Sequence, residues 1–214
     1  MKTRILIVED HDIFRMGLIE LINLEKDLTV CGECNNVEGS WKMVNELNPD
    51  LVLVDISLKE SNGLELIKKI NSERKNLPVL VLSMHDEALY AERSLLAGAR
   101  GYIMKQETSA SVINAIRSVL EGKIYVSEKI TINILNFVAR KSSTSNKLPV
   151  ESLTNRELEV FSYIGQGITT KEIAQKLFLS VKTIGTYRER IKQKLNLKNV
   201  NELIQQASHW VSTQ

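Results

Sequence analysis

The sequence predicts an α/β protein with a doubly wound parallel sheet, followed by a small all-α domain of four helices. Three observations carry this prediction. Short apolar runs alternate with amphipathic segments from Lys2 to about Gly122, a polar serine-rich stretch interrupts the chain near residue 145, and beyond Leu153 the strand signal disappears.

The strands are expected at Ile5 to Val8, Leu28 to Cys31, Leu51 to Val54, Val79 to Leu82 and Tyr102 to Met104. Leu51 to Val54 is apolar at four successive positions, the pattern of a strand covered on both faces rather than one. Right-handed strand–helix–strand connections then place helices on both sides of the sheet. Pro49 and Pro78 precede the third and fourth strands, and Gly98 and Gly101 bracket the turn into the fifth. Residues Ile124 to Arg140 carry Ile130, Ile134, Leu135 and Val138 at helical spacing, and "RKSSTSNKLPVES" after them has the composition of a linker. Domains are therefore expected at 1–122 and 153–214, joined by a linker helix and flexible linker at 123–152. In the second domain Thr154 with Glu157 and Thr169 with Glu172 are capping-box pairs, while Ser180 and Asn199 can cap two further helices.

Composition is that of an ordinary globular chain: 214 residues, 43% hydrophobic and 25% charged. Nothing approaches the length of a membrane span and no basic start leads into an apolar signal core, so a cytoplasmic protein with no membrane partner is expected. The overall charge of +2 hides an asymmetry. Residues 1–122 hold 14 Lys+Arg against 19 Asp+Glu, whereas the remainder holds 14 against 7. The second part is thus the one suited to a polyanion. Cys31 and Cys34 form a C-x-x-C within a strand-like stretch, where they are expected on opposite faces as structural cysteines.

In a parallel sheet all strands end on one edge, where ligands collect. Here Glu9 and Asp10 follow the first strand, Asp55 the third, Ser83 the fourth and Lys105 the fifth. Singly, each reads as a turn acid, a helix cap or a solvated charge. Together they are three carboxylates at one point, which repel one another unless a cation joins them. Mg²⁺ takes oxygen ligands in company with phosphate oxygens, and Lys105 and Ser83 both donate to phosphoryl groups. The set reads as a phosphoryl-accepting aspartate, Asp55, with Mg²⁺ as cofactor and Lys105 and Ser83 as its catalytic companions.

The stretches "ILIVEDHD", "LVLVDISL", "NGLEL", "VLVLSMHD" and "GARGYIMK" resemble the motifs of two-component response-regulator receiver domains. That resemblance implies a flavodoxin-like sheet of five strands in the order 2-1-3-4-5, with Asp55 phosphorylated by a sensor histidine kinase. It implies metal ligation by Glu9, Asp10, Asp55 and the backbone carbonyl of Ser57, and a switch in which Tyr102 turns inward as Ser83 moves to the phosphate. Such a domain promotes its own phosphorylation but is not an enzyme in the usual sense. Lys59 stands where the family usually has proline.

Beyond the linker, helix Thr170 to Phe178, a turn at Leu179 and Ser180, and helix Val181 to Leu195 have helix-turn-helix dimensions. Ile184, Ile191 and Leu195 can face a core, leaving Lys182, Thr186, Arg188, Glu189, Arg190, Lys192 and Lys194 on a largely basic surface suited to the DNA major groove. The stretch "LTNRELEVFSYIGQGITTKEIAQKLFLSVKTIGTYRERIKQKLNLKN" closely resembles the LuxR-type DNA-binding domain, and with the receiver it resembles a NarL/FixJ-type response regulator. This implies DNA contacts from Thr170, Lys171, Lys182, Thr183, Gly185, Thr186, Tyr187, Arg188, Glu189, Arg190, Lys192 and Lys194. It also implies promoter DNA and RNA polymerase as partners and a homodimer when phosphorylated. Gly185 replaces what is commonly a long polar side chain, so the operator sequence is not legible here.

Two other readings are open at this level. Asp10-His11-Asp12 imitates the D-x-D nucleophile of haloacid-dehalogenase-like phosphatases, with Asp10 as covalent centre, but that chemistry needs a further acidic pair after the last strand and only Glu107 follows Lys105 closely. The chain could also bind DNA without phosphorylation and use its receiver only to dimerise.

Overall fold

Alternation along each strand decides which side chains serve which face, and both faces are apolar here. The computed structural model describes residues 2–56, 58, 63–84, 87–128, 130–132 and 149–212. The chain divides into two compact units, 1–140 and 141–214.

The first unit runs β1 (Thr3–Val8), α1 (Asp12–Asn23), β2 (Leu28–Cys34), α2 (Val37–Leu47), β3 (Leu51–Val54), α3 (Gly63–Glu73), β4 (Val79–Ser83), α4 (Glu87–Ala97), β5 (Gly101–Met104) and α5 (Ser109–Leu120). The sheet order is β2-β1-β3-β4-β5 with every pair parallel, as the resemblance implies. Leu6, Val8, Val52, Val54, Val79 and Val81 pack on one face with Val44 of α2, Ile67 and Ile70 of α3 and Tyr90 of α4. Ile5, Ile7, Leu51, Leu53, Leu80 and Leu82 pack on the other with Leu18 and Ile22 of α1 and Ile113 and Ile116 of α5. This two-sided burial is why the strands read as unbroken apolar runs.

Two local expectations change. Pairing of β1 with β2 shifts register between Ile5 and Leu6, so that Val30 and Gly32 oppose consecutive residues and Cys31 is the extra one. A bulge resets the alternation, and Cys31 packs on the same face as Leu6 and Val8. Cys34, opposite Val8 in the ladder, shares that face, so the two thiols do not point apart as the strand pattern implied. Both are free cysteines, and burial pushes the Cys31 thiol pKa up. The helix expected from Ile124 begins later. Tyr125 instead bridges to Gly101 in parallel register, and helix appears only at Glu128. Residues 133–140 of that expected helix lie outside the described residues.

The second unit contains a 3₁₀ turn (Pro149–Ser152) and four helices: α6 (Asn155–Gly165), α7 (Thr170–Lys176), α8 (Val181–Lys194) and α9 (Val200–Ser212). All four expected caps form. Thr154 and Glu157 cap each other's backbone N–H groups, as do Thr169 and Glu172, while Ser180 accepts from Thr183 N and Asn199 from Glu202 N. The core is Leu158, Phe161, Ile173, Ile184, Ile191, Leu195, Leu203 and Ala207. At Gly165 a Cβ would stand 2.4 Å from the carbonyl oxygen of Ala207, so glycine is what lets α6 and α9 meet backbone to backbone.

Glu157 does more than cap. Its buried carboxylate also accepts from Lys194 Nζ at 2.6 Å, tying α6 to the end of α8. Burial alone would push its pKa up, but the bonds from Lys194 and Thr154 outweigh this and hold it below the usual carboxylate value. Since the folded pKa lies below the unfolded one, the stabilisation is complete above the unfolded pKa and is lost as pH falls through the folded one. Glu157→Ala should therefore cost the second unit about 1.5 kcal/mol at neutral pH, with the deficit shrinking below about pH 4. Urea unfolding followed by Trp210 fluorescence checks both statements.

Candidate functional site

Sheet hydrogen bonding continues one residue beyond the strands, and this fixes the site. Glu9 N donates to Cys34 O at 2.9 Å, Asp55 N to Val8 O at 2.8 Å and Lys105 N to Ser83 O at 2.8 Å. The backbones that carry the acids and the lysine are thus held by the ladder itself rather than by mobile loops. Glu9, Asp10, Asp55 and Ser83 are all buried.

Lys105, with 2% of its side chain exposed, places Nζ 2.6 Å from Glu9 Oε2 and 2.8 Å from Asp55 Oδ2. The same ammonium lies 4.6 Å from the centre of the Phe14 ring, a cation–π position. His11 Nδ1 sits 3.0 Å from both Glu9 Oε1 and Asp10 Oδ1 at the exposed rim. Arg15 reaches back to donate to Glu9 O at 2.8 Å and is anchored in turn by Asp12 and Glu33. Ligand atoms of Glu9, Asp10, His11 and Asp55 all lie within 4.8 Å of one another. Hard carboxylate oxygens gathered this closely fit a small divalent cation such as Mg²⁺.

Glu9, Asp10, Asp55, Ser83 and Lys105 are brought together as expected from the strand ends. Ser83 lies opposite Met104 at the β4–β5 edge, and Tyr102, 1% exposed, is two pairs back opposite Val81. Ser57 and Lys59 fall outside the described residues. Gly63 was not singled out from the sequence, yet a Cβ there would lie 2.4 Å from Asp55 O and 2.7 Å from Ile56 Cα. Only glycine allows α3 to begin against the backbone that carries Asp55, and the Asn-Gly pair in "NGLEL" was the available signal. Beside the acids, an open pocket of about 490 Å³ between α1 and α5 is lined mainly by Ile13, Phe14, Leu18, Leu21, Met84 and Val112.

In the second unit α7 and α8 form the helix-turn-helix. The turn uses Phe178 in the left-handed region (φ 55°), 96% exposed. Lys171, Lys182, Thr186, Glu189 and Arg190 are exposed, whereas Thr170, Thr183, Gly185, Tyr187, Arg188 and Lys192 are half-buried. Several of the expected DNA contacts also have partners within the protein. Arg188 donates to Thr170 Oγ1 at 2.6 Å, joining the two helices, and Lys192 pairs with Glu189 at 2.9 Å. Lys194 has a structural role as well. Its ammonium is committed to Glu157 and to Ser152 O, because a residue three after buried Ile191 lies beside the core stripe.

Such a pairing of an acidic-edged parallel sheet with a basic helix-turn-helix defines a signal-responsive DNA-binding regulator. Residues 5–117 match the response regulator receiver domain and residues 151–207 the luxR family of bacterial regulatory proteins. The oxygen regulatory protein NreC of Staphylococcus epidermidis is 34% identical over 209 residues, 95% of this chain and 96% of that one. A two-component response regulator of the LuxR family from Aurantimonas sp. SI85-9A1 is 28% identical with a TM-score of 0.60, covering 65% of this chain and 99% of its own. The response regulator ChrA of a heme-sensing two-component system is 25% identical with a TM-score of 0.53, covering 98% of both chains. The chain belongs to the response-regulator family, with a receiver domain followed by a LuxR-type DNA-binding domain. No helix among the described residues is long and apolar enough to cross a membrane.

A Cβ on Gly185 would meet nothing within 4 Å. Gly185→Ala should therefore raise the stability of the second unit by about 1 kcal/mol, the helix-propensity difference. A thermal melt of the full chain, read at Trp210, measures it.

Proposed function

We propose that the protein is a phosphorylation-controlled transcription regulator: Asp55 receives a phosphoryl group from a sensor histidine kinase, and the modified receiver shifts domain docking or dimerisation so that α8 engages promoter DNA. The observation that carries this reading is the Asp55 carboxylate, buried at a strand end and 2.8 Å from a buried ammonium. In the transfer, an Asp55 oxygen forms the new bond to phosphorus as the P–N bond of a phosphohistidine breaks, with the electron pair leaving on the imidazole. Lys105 takes one phosphoryl oxygen and the Ser83 hydroxyl another. Glu9, Asp10, Asp55 and the Ser57 carbonyl would hold Mg²⁺, which when bound supplies positive charge against the phosphoryl oxygens. The apolar pocket between α1 and α5, flanked by exposed Ile13 and Met16, supports docking of the kinase beside the acids.

On DNA, Lys171, Lys182, Thr186 and Arg190 are the exposed contacts, with Gly185 and Glu189 on the same surface, while Thr170 and Arg188 set the angle between the helices. A phosphorylated homodimer reading two half-sites, and contact with RNA polymerase at the promoter, complete the reading.

Mass spectrometry after incubation with acetyl phosphate and Mg²⁺ should show one added phosphoryl group, absent from Asp55→Asn; an adduct that survives in that variant would refute the assignment. Gly63→Ala, which displaces the Asp55 backbone, should lower the labelling rate by at least about tenfold, since a misplacement near 1 Å costs about a hundredfold. For DNA binding, Lys182→Ala should weaken affinity across sequences and reduce the slope of log affinity against log salt by about one unit. A filter-binding series in increasing salt tests this.

A further inference from the structure

The segment that leaves α5 stays with the receiver. It returns along the free edge of the sheet. Tyr125 N donates to Arg100 O at 3.0 Å and Tyr102 N donates to Tyr125 O at 2.8 Å, so residue 125 occupies the outer side of β5 as a short sixth strand would. Gly101 permits the approach, because a Cβ there would stand 2.9 Å from Tyr125 O. Two residues on, Ser127 N donates to Glu87 Oε1 at 3.0 Å, a bond to the first turn of α4 made across 40 positions of sequence. Ser127 then opens the next helical turn, accepting from Ile130 N, and Ile130 is 3% exposed in the core cluster that holds Tyr90, Ala91 and Tyr102.

The segment therefore grips two things: the backbone of Tyr102 on β5, and the start of α4, four residues after Ser83. We propose that Tyr125 to Glu128, with Ile130, form a strap, with the Glu87 carboxylate as its latch, that reports the state of Asp55 to the chain leading toward the DNA-binding domain. The inference rests on the phosphorylation reading above. A rearrangement of Ser83 and Tyr102 moves β5 relative to the first turn of α4, and a strap fastened to both keeps its two sets of bonds only in one arrangement. Releasing the latch gives the following chain a different exit from the receiver. The strap thus provides the differential contact that a change at the sheet edge needs in order to shift an equilibrium elsewhere.

The test uses the full chain, with and without acetyl phosphate and Mg²⁺. Hydrogen–deuterium exchange of peptides spanning 100–104 and 125–131 should rise on phosphorylation in the wild type. In Glu87→Ala the 125–131 peptide should exchange rapidly without phosphodonor while phosphoryl uptake by mass stays at the wild-type level. The gain in DNA affinity on phosphorylation should fall about tenfold, the worth of one hydrogen bond to a charged group. Glu87→Gln, which keeps an acceptor oxygen, should restore most of that gain. Exchange that is unchanged in fully phosphorylated wild type, or a Glu87→Ala protein with the full affinity gain, overturns the strap while leaving the parent reading intact. A wild type that takes up no phosphoryl group overturns both.

Discussion

The Lys105 ammonium, 2.6 Å from Glu9 and 2.8 Å from Asp55, is the interaction around which the receiver is arranged. Lys105 follows β5, whereas its partners follow β1 and β3, and β4 lies between. Strands are spaced about 4.8 Å apart, so the side chain has to extend across the end of β4 to reach the carboxylates. That geometry demands a small residue there. Ser83 ends β4 and is fully buried. The same reach requires a long apolar stem with a charged tip, and Phe14 lies against that tip. A buried cation and buried acids are each costly alone. Their mutual neutralisation holds only if four strand ends keep register, which links the chemistry of the edge to the packing of the entire sheet.

Much of this was legible in sequence because local pattern and tertiary role coincide. Leu51 to Val54 reads as a doubly covered strand and is one; the residues that follow the strands therefore had to meet. The four helix caps of the second unit were equally readable, because a cap is satisfied within three or four residues of itself. What escaped depends on contacts between distant segments. The Asn-Gly pair marks a turn at Gly63 but does not announce that Asp55 O will lie 2.4 Å from where a Cβ would stand. The bulge at Cys31 inverts an alternation that an ideal strand predicts. Tyr125 sits in a run of helix-compatible apolar residues, yet the unpaired edge of β5 offers it a ladder instead. The Lys194 role was partly within reach, since helical spacing from Ile191 already set it beside the buried stripe.

The distribution of charge gives the two domains opposite relations to DNA. Residues 1–122 carry 19 acids against 14 bases, and the remainder carries 7 against 14. A polyanion is attracted to one unit and repelled by the other, and a phosphoryl group on Asp55 adds to the repulsive side. Long-range electrostatics alone would thus weaken DNA binding on phosphorylation. An increase in affinity must then come from a discrete rearrangement of contacts, not from added charge.

The surface of α8 extends this argument to specificity. Bases are distinguished by side chains that reach their edges, while phosphate contacts fix register without reading sequence. Glu189 and Lys192 are engaged with each other, Arg188 with Thr170, Lys194 with Glu157, and Gly185 offers only backbone. Few uncommitted side chains are left to read a half-site, chiefly Lys182 and Arg190 within the helix, since the Thr186 hydroxyl donates to Lys182 O. With so small a set, one copy discriminates weakly between sequences. In the homodimer proposed above, the spacing of two half-sites would multiply that discrimination, so dimer geometry would supply the selectivity that a recognition helix bared at Gly185 lacks.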